Sequence, residues 1–101
     1  MTFNMLGLEY ALEGSSNYIA WKDRMEVVLE DNGLKEFIDQ EIQKPALTNA
    51  QELVEWKKCV AKARRIILEG VQDHIFSSLH GKDTPFPMSK KLKELYQNSS
   101  D

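Results

Sequence analysis

The sequence predicts an all-α protein: a small helical bundle of about four helices preceded by an extended N-terminal arm. Apolar residues recur at helical spacing in three segments of the chain. Glycine and proline stand between these segments, where they end helices or begin loops. The chain has 101 residues, of which 42% are hydrophobic and 29% are charged, so it is long enough for one folded domain with a modest core.

The N-terminal arm comes first along the chain. Apolar side chains occupy every second position from Leu6 to Leu12, which is typical of extended chain, and a short helix is the alternative. Side chains this apolar are expected to pack on the domain or on a second molecule. The candidate residues for such an interface are Phe3, Leu6, Leu8 and Tyr10.

The first helix is predicted to begin near Ser16 or Asn17, since both residue types cap helix N-termini. Gly33 is expected to end it in a left-handed conformation. A brief second helix follows over residues 34–39, with Leu34, Phe37 and Ile38 turned inward. The apolar stripe of the first helix is Tyr18, Trp21, Met25, Val28 and Leu29.

The longest helix is predicted over residues 49–79, after a linker that contains Pro45. Thr48 and Gln51 have the spacing of a capping box at its start. Gly70 stands inside this helix and marks either a kink or a close helix crossing. The apolar stripe is Leu53, Trp56, Val60, Ala63, Ile67, Val71, Ile75 and Leu79.

The last helix is predicted over residues 85–98, with Thr84 as its N-cap and Pro85 in its first position. It is expected to bury Met88, Leu92, Leu95 and Tyr96. The predicted organisation is therefore an arm over residues 1–14, a helical domain over residues 15–98 and a frayed tail over residues 99–101.

No set of residues in the sequence suggests catalysis or metal binding. His74 and His80 are six residues apart, which places them on different sides of a helix, and Cys59 is the single cysteine. No glycine-rich phosphate loop or nucleophile elbow is present. The sequence therefore predicts a protein that is not an enzyme and has no cofactor and no metal site. The single cysteine and the lack of a long apolar run predict a cytoplasmic protein without a membrane span.

The charges are unevenly divided along the chain. Residues 1–56 hold 11 acidic and 4 basic residues, a charge of −7, whereas residues 57–101 hold 5 acidic and 9 basic residues, a charge of +4; the sum is −3. This asymmetry suits head-to-tail association of identical chains, and an unevenly charged solvated surface is the alternative.

One basic cluster stands out in the segment KKCVAKARR. It is a candidate RNA patch, but no aromatic residues are interleaved with its bases, so a platform for stacking on bases is missing. A solvated or protein-binding face is the alternative, and nucleic acid is not expected to bind through this domain alone. The basic residues are Lys57, Lys58, Lys62, Arg64 and Arg65.

Three segments in order resemble the N-terminal Gag region, a capsid-type domain, of copia-type long-terminal-repeat retrotransposons of plants. They are LEGSSNYIAWKDRMEVVLEDNGL, EWKKCVAKARRIILEGVQDHIFSSL and DTPFPMSKKLKELYQ, and together they cover about residues 12–97. The third segment departs from the family, since Ser89 stands where the family usually has tryptophan. The residues that carry the resemblance include Gly14, Tyr18, Trp21, Met25, Leu29, Trp56, Leu92 and Tyr96.

The resemblance implies a helical domain of a Gag polyprotein that self-associates into a particle around the RNA of the element. Its partner would be another copy of itself. The alternative is a module that its host has retained from such an element and that binds a different protein. The missing tryptophan at Ser89 leads us to expect a hole or a smaller contact at that position.

Overall fold

The structure, a computed structural model, describes residues 10–97, and within them the chain forms five α-helices and two short 3-10 helices. The bounds are α1 Tyr18–Asp31, α2 Glu36–Asp39, α3 Ala50–Glu69, α4 Asp73–Phe76 and α5 Pro85–Tyr96, with 3-10 helices at Ser15–Asn17 and Ser77–Leu79. These residues form no β-strand, only an isolated parallel bridge between Leu12 and Val71. The predicted all-α fold is therefore confirmed.

Helix α1 forms as the sequence predicts. The backbone N–H of Leu34 donates to the carbonyl of Leu29 at 2.8 Å, and that of Gly33 donates to Glu30 at 3.0 Å. Gly33 has a φ of 70°, so this is the left-handed glycine end that satisfies the last carbonyls of the helix. Of the predicted stripe, Tyr18, Trp21, Met25 and Leu29 are buried and Val28 is partly buried.

Helix α3 ends earlier than predicted, so a single helix over residues 49–79 is wrong. It stops at Glu69, and the chain passes through residues 70–72 before α4 begins. The carbonyl of Gly70 accepts hydrogen bonds from Leu12 and Trp21, which belong to other parts of the chain. Val71, Ile75 and Leu79 are nevertheless buried, as the stripe predicted.

The predicted capping box of Thr48 and Gln51 is also wrong. The residue that precedes the first turn of α3 is Asn49, and no side-chain hydrogen bond caps this end. The N–H of Leu53 donates to the carbonyl of Asn49 at 2.9 Å, which starts the helical ladder one residue later than the box requires.

The shorter helices α2 and α5 pack on each other and complete the bundle. α2 begins at Glu36, two residues later than predicted, and packs on α5, which also contacts α3. Leu34, Phe37 and Ile38 are buried as predicted.

The last helix, α5, agrees with its prediction except at its C-terminal end. Pro85 occupies its first turn after Thr84, and Met88 and Leu92 are buried. Leu95, predicted to be buried, is 38% exposed. Its spacing of seven residues from Met88 places it on the same side of α5, but it lies in the last turn of the helix. The helix ends at Tyr96, before the predicted bound at residue 98.

Candidate interaction surfaces

The N-terminal segment enters the domain at a fixed junction beside Gly70. The N–H of Leu12 donates to the carbonyl of Gly70 at 2.8 Å, and the N–H of Gln72 donates to the carbonyl of Leu12 at 3.1 Å. The Leu12 side chain is fully buried. Leu12, near the end of the predicted arm, is therefore joined to the domain by an isolated parallel bridge to Val71, while residues 1–9 of that arm lie outside the described residues.

Trp21 completes this junction from α1. Its indole Nε1–H donates to the carbonyl of Gly70 at 2.6 Å, so this carbonyl accepts two hydrogen bonds. Trp21 is 1% exposed, and a buried indole N–H needs such an acceptor. The ring nitrogen Nε2 of His74 lies 2.8 Å from the carbonyl of Glu13, which can only accept, so Nε2 carries the proton. His74 is thus a structural hydrogen-bond donor at the junction.

The residues that carry the family resemblance gather in one core. The rings of Tyr18 and Trp21 are 6.2 Å apart, and those of Tyr18 and Tyr96 are 6.3 Å apart, so α1 and α5 share an aromatic contact. Trp56 is partly buried, and its Nε1–H donates to the carbonyl of Ile42 at 3.2 Å. Tyr18, Trp21, Met25, Leu29 and Leu92 are buried, Trp56 and Tyr96 pack against the core, and Gly14 is partly buried just before the first 3-10 helix.

An open cleft of about 360 Å³ lies beside Ser89, between α1, α2 and α5. Tyr18, Ile38 and Phe86 contribute apolar surface to it. Ser89, where the resemblance leads us to expect a hole or a smaller contact, is one of the residues that line this cleft. Burial raises the pKa of the Tyr18 hydroxyl above its ordinary value, and the carboxylate of Glu26 adds to this rise.

Both carboxylates of the cleft are paired with lysines. Glu26 forms an ion pair with Lys22 at 3.4 Å, and Asp39 forms one with Lys35 at 3.0 Å. The cleft is also lined by Lys90 and Lys93, which form no ion pair with a described residue. The rim of the cleft is therefore positively charged.

The predicted interface residues of the arm are only partly described. Phe3, Leu6 and Leu8 lie outside the described residues. Tyr10 is 44% exposed, and the guanidinium carbon of Arg24 stands 4.5 Å from the centre of its ring. A cation over an aromatic face is an attractive contact, and it holds Tyr10 against α1.

The basic cluster forms part of the outward face of α3. Lys57, Lys58 and Arg65 are exposed, while Lys62 and Arg64 are partly covered. Within residues 10–97, the buried Nε of Arg64 has no hydrogen-bond partner. Trp56 is the aromatic residue of α3, and its indole donates to the carbonyl of Ile42.

Exposed apolar side chains are distributed over the outer faces of several helices. Ile19 and Val27 on α1 are 56% and 57% exposed, and Val54 on α3 is 52% exposed. Val27 follows Glu26 and Val54 precedes Glu55, whereas Ile19 lies between Tyr18 and Ala20. Such mixed surfaces are typical of protein–protein contacts as well as of ordinary solvated helices.

The described residues contain no group of three or more His, Cys, Asp and Glu side chains that could hold a metal ion. Cys59 is partly buried and packs against the core. In the part of the chain that the structure covers, no helix combines the length and the apolarity that a bilayer crossing requires.

The chain matches no family model, and searches of curated proteins and of solved structures also find no match.

Sequence reasoning missed the junction between Leu12, Trp21 and Gly70. Gly70 was a visible signal, because a glycine inside a helical stripe indicates a break or a close approach. The residues that pair with its carbonyl lie 49 or more positions away in the sequence, and no local pattern indicates them.

Proposed function

We propose that this chain is a structural, non-enzymatic Gag-type capsid domain that self-associates, as the family resemblance implies. One observation carries the proposal: side chains from all three similar segments meet in a single core. Tyr18 of the first segment, Ile67 of the second and Leu92 of the third are all buried members of that core. The residues that carry the resemblance thus have a common structural role, which is to build the domain.

The surface outside this core supports association. Several large apolar side chains remain exposed on α1, α3 and α5. The charged residues of α1 are mainly acidic, and those of α3 are mainly basic. The junction at Leu12 also fixes the position of the residue to which the apolar N-terminal segment is attached. Both features suit repeated contacts between identical chains.

Light scattering over a wide concentration range tests the proposal. We expect the weight-average mass of the chain to rise with concentration at low salt. Deleting residues 1–9 would measure the contribution of the arm while the buried Leu12 stays in place. A constant monomer mass at every concentration would contradict the proposal.

The cleft beside Ser89 favours a second candidate function, a host-retained module that binds another protein. Tyr18 and Phe86 offer apolar surface there, and Lys90 and Lys93 would attract an acidic partner segment. Filling the cleft with Ser89→Trp would abolish such binding and leave self-association unchanged. Affinity capture that recovers only further copies of this chain would count against the second candidate.

A further inference from the structure

The outer face of α1 combines exposed apolar and acidic residues. Ile19, Asp23 and Val27 are spaced by four residues, so they form one row along the helix, and all three are exposed. Glu30 extends this row and is also exposed. The helix holds four acidic and two basic residues, a charge of 4 × (−1) + 2 = −2.

The basic side chains of α1 are already engaged within the molecule. Lys22 is paired with Glu26, and Arg24 lies over the ring of Tyr10. Asp23 and Glu30 form no ion pair with a described residue. The acidic charge of the outer face is therefore uncompensated by α1 itself.

The outer face of α3 has the opposite charge. Val54, Lys58 and Ala61 form an exposed row at helical spacing, and Lys57 flanks it on one side. Neither Lys57 nor Lys58 forms an ion pair with a described residue. The helix holds five basic and three acidic residues, a charge of 5 − 3 = +2.

The two faces cannot meet within one molecule. α1 and α3 pack against each other through their buried sides, where Trp21 and Ile67 belong to the same core. Their outer faces therefore point away from each other. The outer face of α1 is apolar and acidic, and that of α3 is apolar and basic. The α1 face of one copy is therefore complementary to the α3 face of another copy.

We propose that the outer face of α1 in one copy docks on the outer face of α3 in a second copy, head to tail. This inference rests on the proposed self-association and names its interface. Because the two faces are different patches, a pair of bound copies leaves one α1 face and one α3 face free. Further copies can bind there, so the contact repeats into a ring or an open chain. The apolar rows are about 12 Å and 10 Å long at 1.5 Å per residue, so one contact is small and weak.

Charge reversal on each face tests this interface. The variant Asp23→Lys/Glu30→Lys makes the α1 face basic, and Lys57→Glu/Lys58→Glu makes the α3 face acidic. We expect each variant alone to associate at least about tenfold more weakly than the wild type, because like charges then face each other. An equal mixture of the two variants restores association, since each reversed face finds an opposite face on the other variant.

Matched controls place the same charge changes elsewhere on the surface. Asp83→Lys/Glu94→Lys and Lys90→Glu/Lys93→Glu alter exposed positions on the loop and on α5. These controls are expected to associate like the wild type. Circular dichroism and thermal melts of all four variants establish that each retains its helices.

The outcomes separate this interface from the wider proposal. If the wild type associates and either face variant associates equally well, or the mixture fails to recover, the α1–α3 interface is wrong and self-association stands. If the wild type is a monomer throughout, both are wrong. If Lys57→Glu/Lys58→Glu abolishes binding of a single-stranded RNA oligonucleotide without changing the mass, the α3 face binds nucleic acid and the interface is overturned.

Discussion

The junction at Gly70 and the cleft at Ser89 are two regions that share helix α1 but differ in packing. At the junction, Trp21 is 1% exposed and its indole donates to a carbonyl that also pairs with Leu12. At the cleft, Ser89 is only partly covered and about 360 Å³ stays open. The difference teaches that the junction is closely packed and hydrogen-bonded while the cleft is not, so we expect substitutions at the junction to cost more unfolding free energy than substitutions at the cleft.

Trp21→Ala should lower the stability most, because it removes the buried indole ring and its hydrogen bond from the junction. Truncating a buried tryptophan costs about 3–5 kcal/mol of unfolding free energy. Trp21→Phe keeps most of the apolar volume and loses the bond to Gly70, so we expect a loss of about 1–2 kcal/mol. Urea denaturation of both variants measures the difference. A Trp21→Phe variant as stable as the wild type would mean that the hydrogen bond contributes nothing.

Leu12 gives the second largest effect and tests whether the junction needs the N-terminal segment. Leu12→Ala removes a fully buried side chain and should cost about 2–5 kcal/mol. Deleting residues 1–14 should destabilise at least as much, whereas deleting residues 1–9 leaves this contact intact. Thermal melts compare the three proteins. If the chain without residues 1–14 melts at the same temperature as the full-length chain, the bridge to Val71 is dispensable.

Ser89→Trp sharpens the comparison from the cleft side. A large aromatic ring would cover Tyr18 and Phe86 and stabilise the domain by about 0.5–2 kcal/mol, the usual range for filling a cavity. Ser16→Trp is the matched control, because Ser16 is exposed and lies outside the cleft. A stabilisation of equal size in both variants would mean that the cleft is not the cause.

Tyr18 gives the smallest effect and links burial to pH. Burial raises the pKa of its hydroxyl in the folded state, so the neutral phenol favours folding below the unfolded pKa of about 10. This contribution is lost as the pH rises through the unfolded and then the folded pKa. Tyr18→Phe should flatten the loss of stability that begins as the pH rises through the unfolded pKa of about 10. An unchanged alkaline profile would show that Tyr18 does not titrate differently in the folded state.

Local sequence signals predicted most of the helices. The stripe from Tyr18 to Leu29 is buried, and Gly33 ends α1 in the left-handed conformation, because these features depend on neighbours within one or two turns. Pro85 likewise begins α5. The inward positions Val71, Ile75 and Leu79 were also predictable, although the helix that was expected to carry them ends at Glu69.

Features that depend on distant residues were not predictable. The capping box expected from Thr48 and Gln51 did not form, because α3 begins at Ala50, one residue too late for Thr48 to be its N-cap. A capping box is a weak signal for the residue at which a helix begins. Leu95 was expected to be inside, and it is exposed in the last turn of α5 although it shares a face with the buried Met88.

The sequence by itself determined the helical class, the inward stripes and the opposite charges of α1 and α3, because composition and period are local properties. Only the tertiary structure decided that Gly70 ends α3, that Leu12 pairs with Val71, and that the two charged faces point away from each other. The physical reason is the same in each case. A carbonyl such as that of Gly70 satisfies its hydrogen-bonding capacity with whichever donors packing brings near it, and Trp21 and Leu12 arrive there only once the chain has folded.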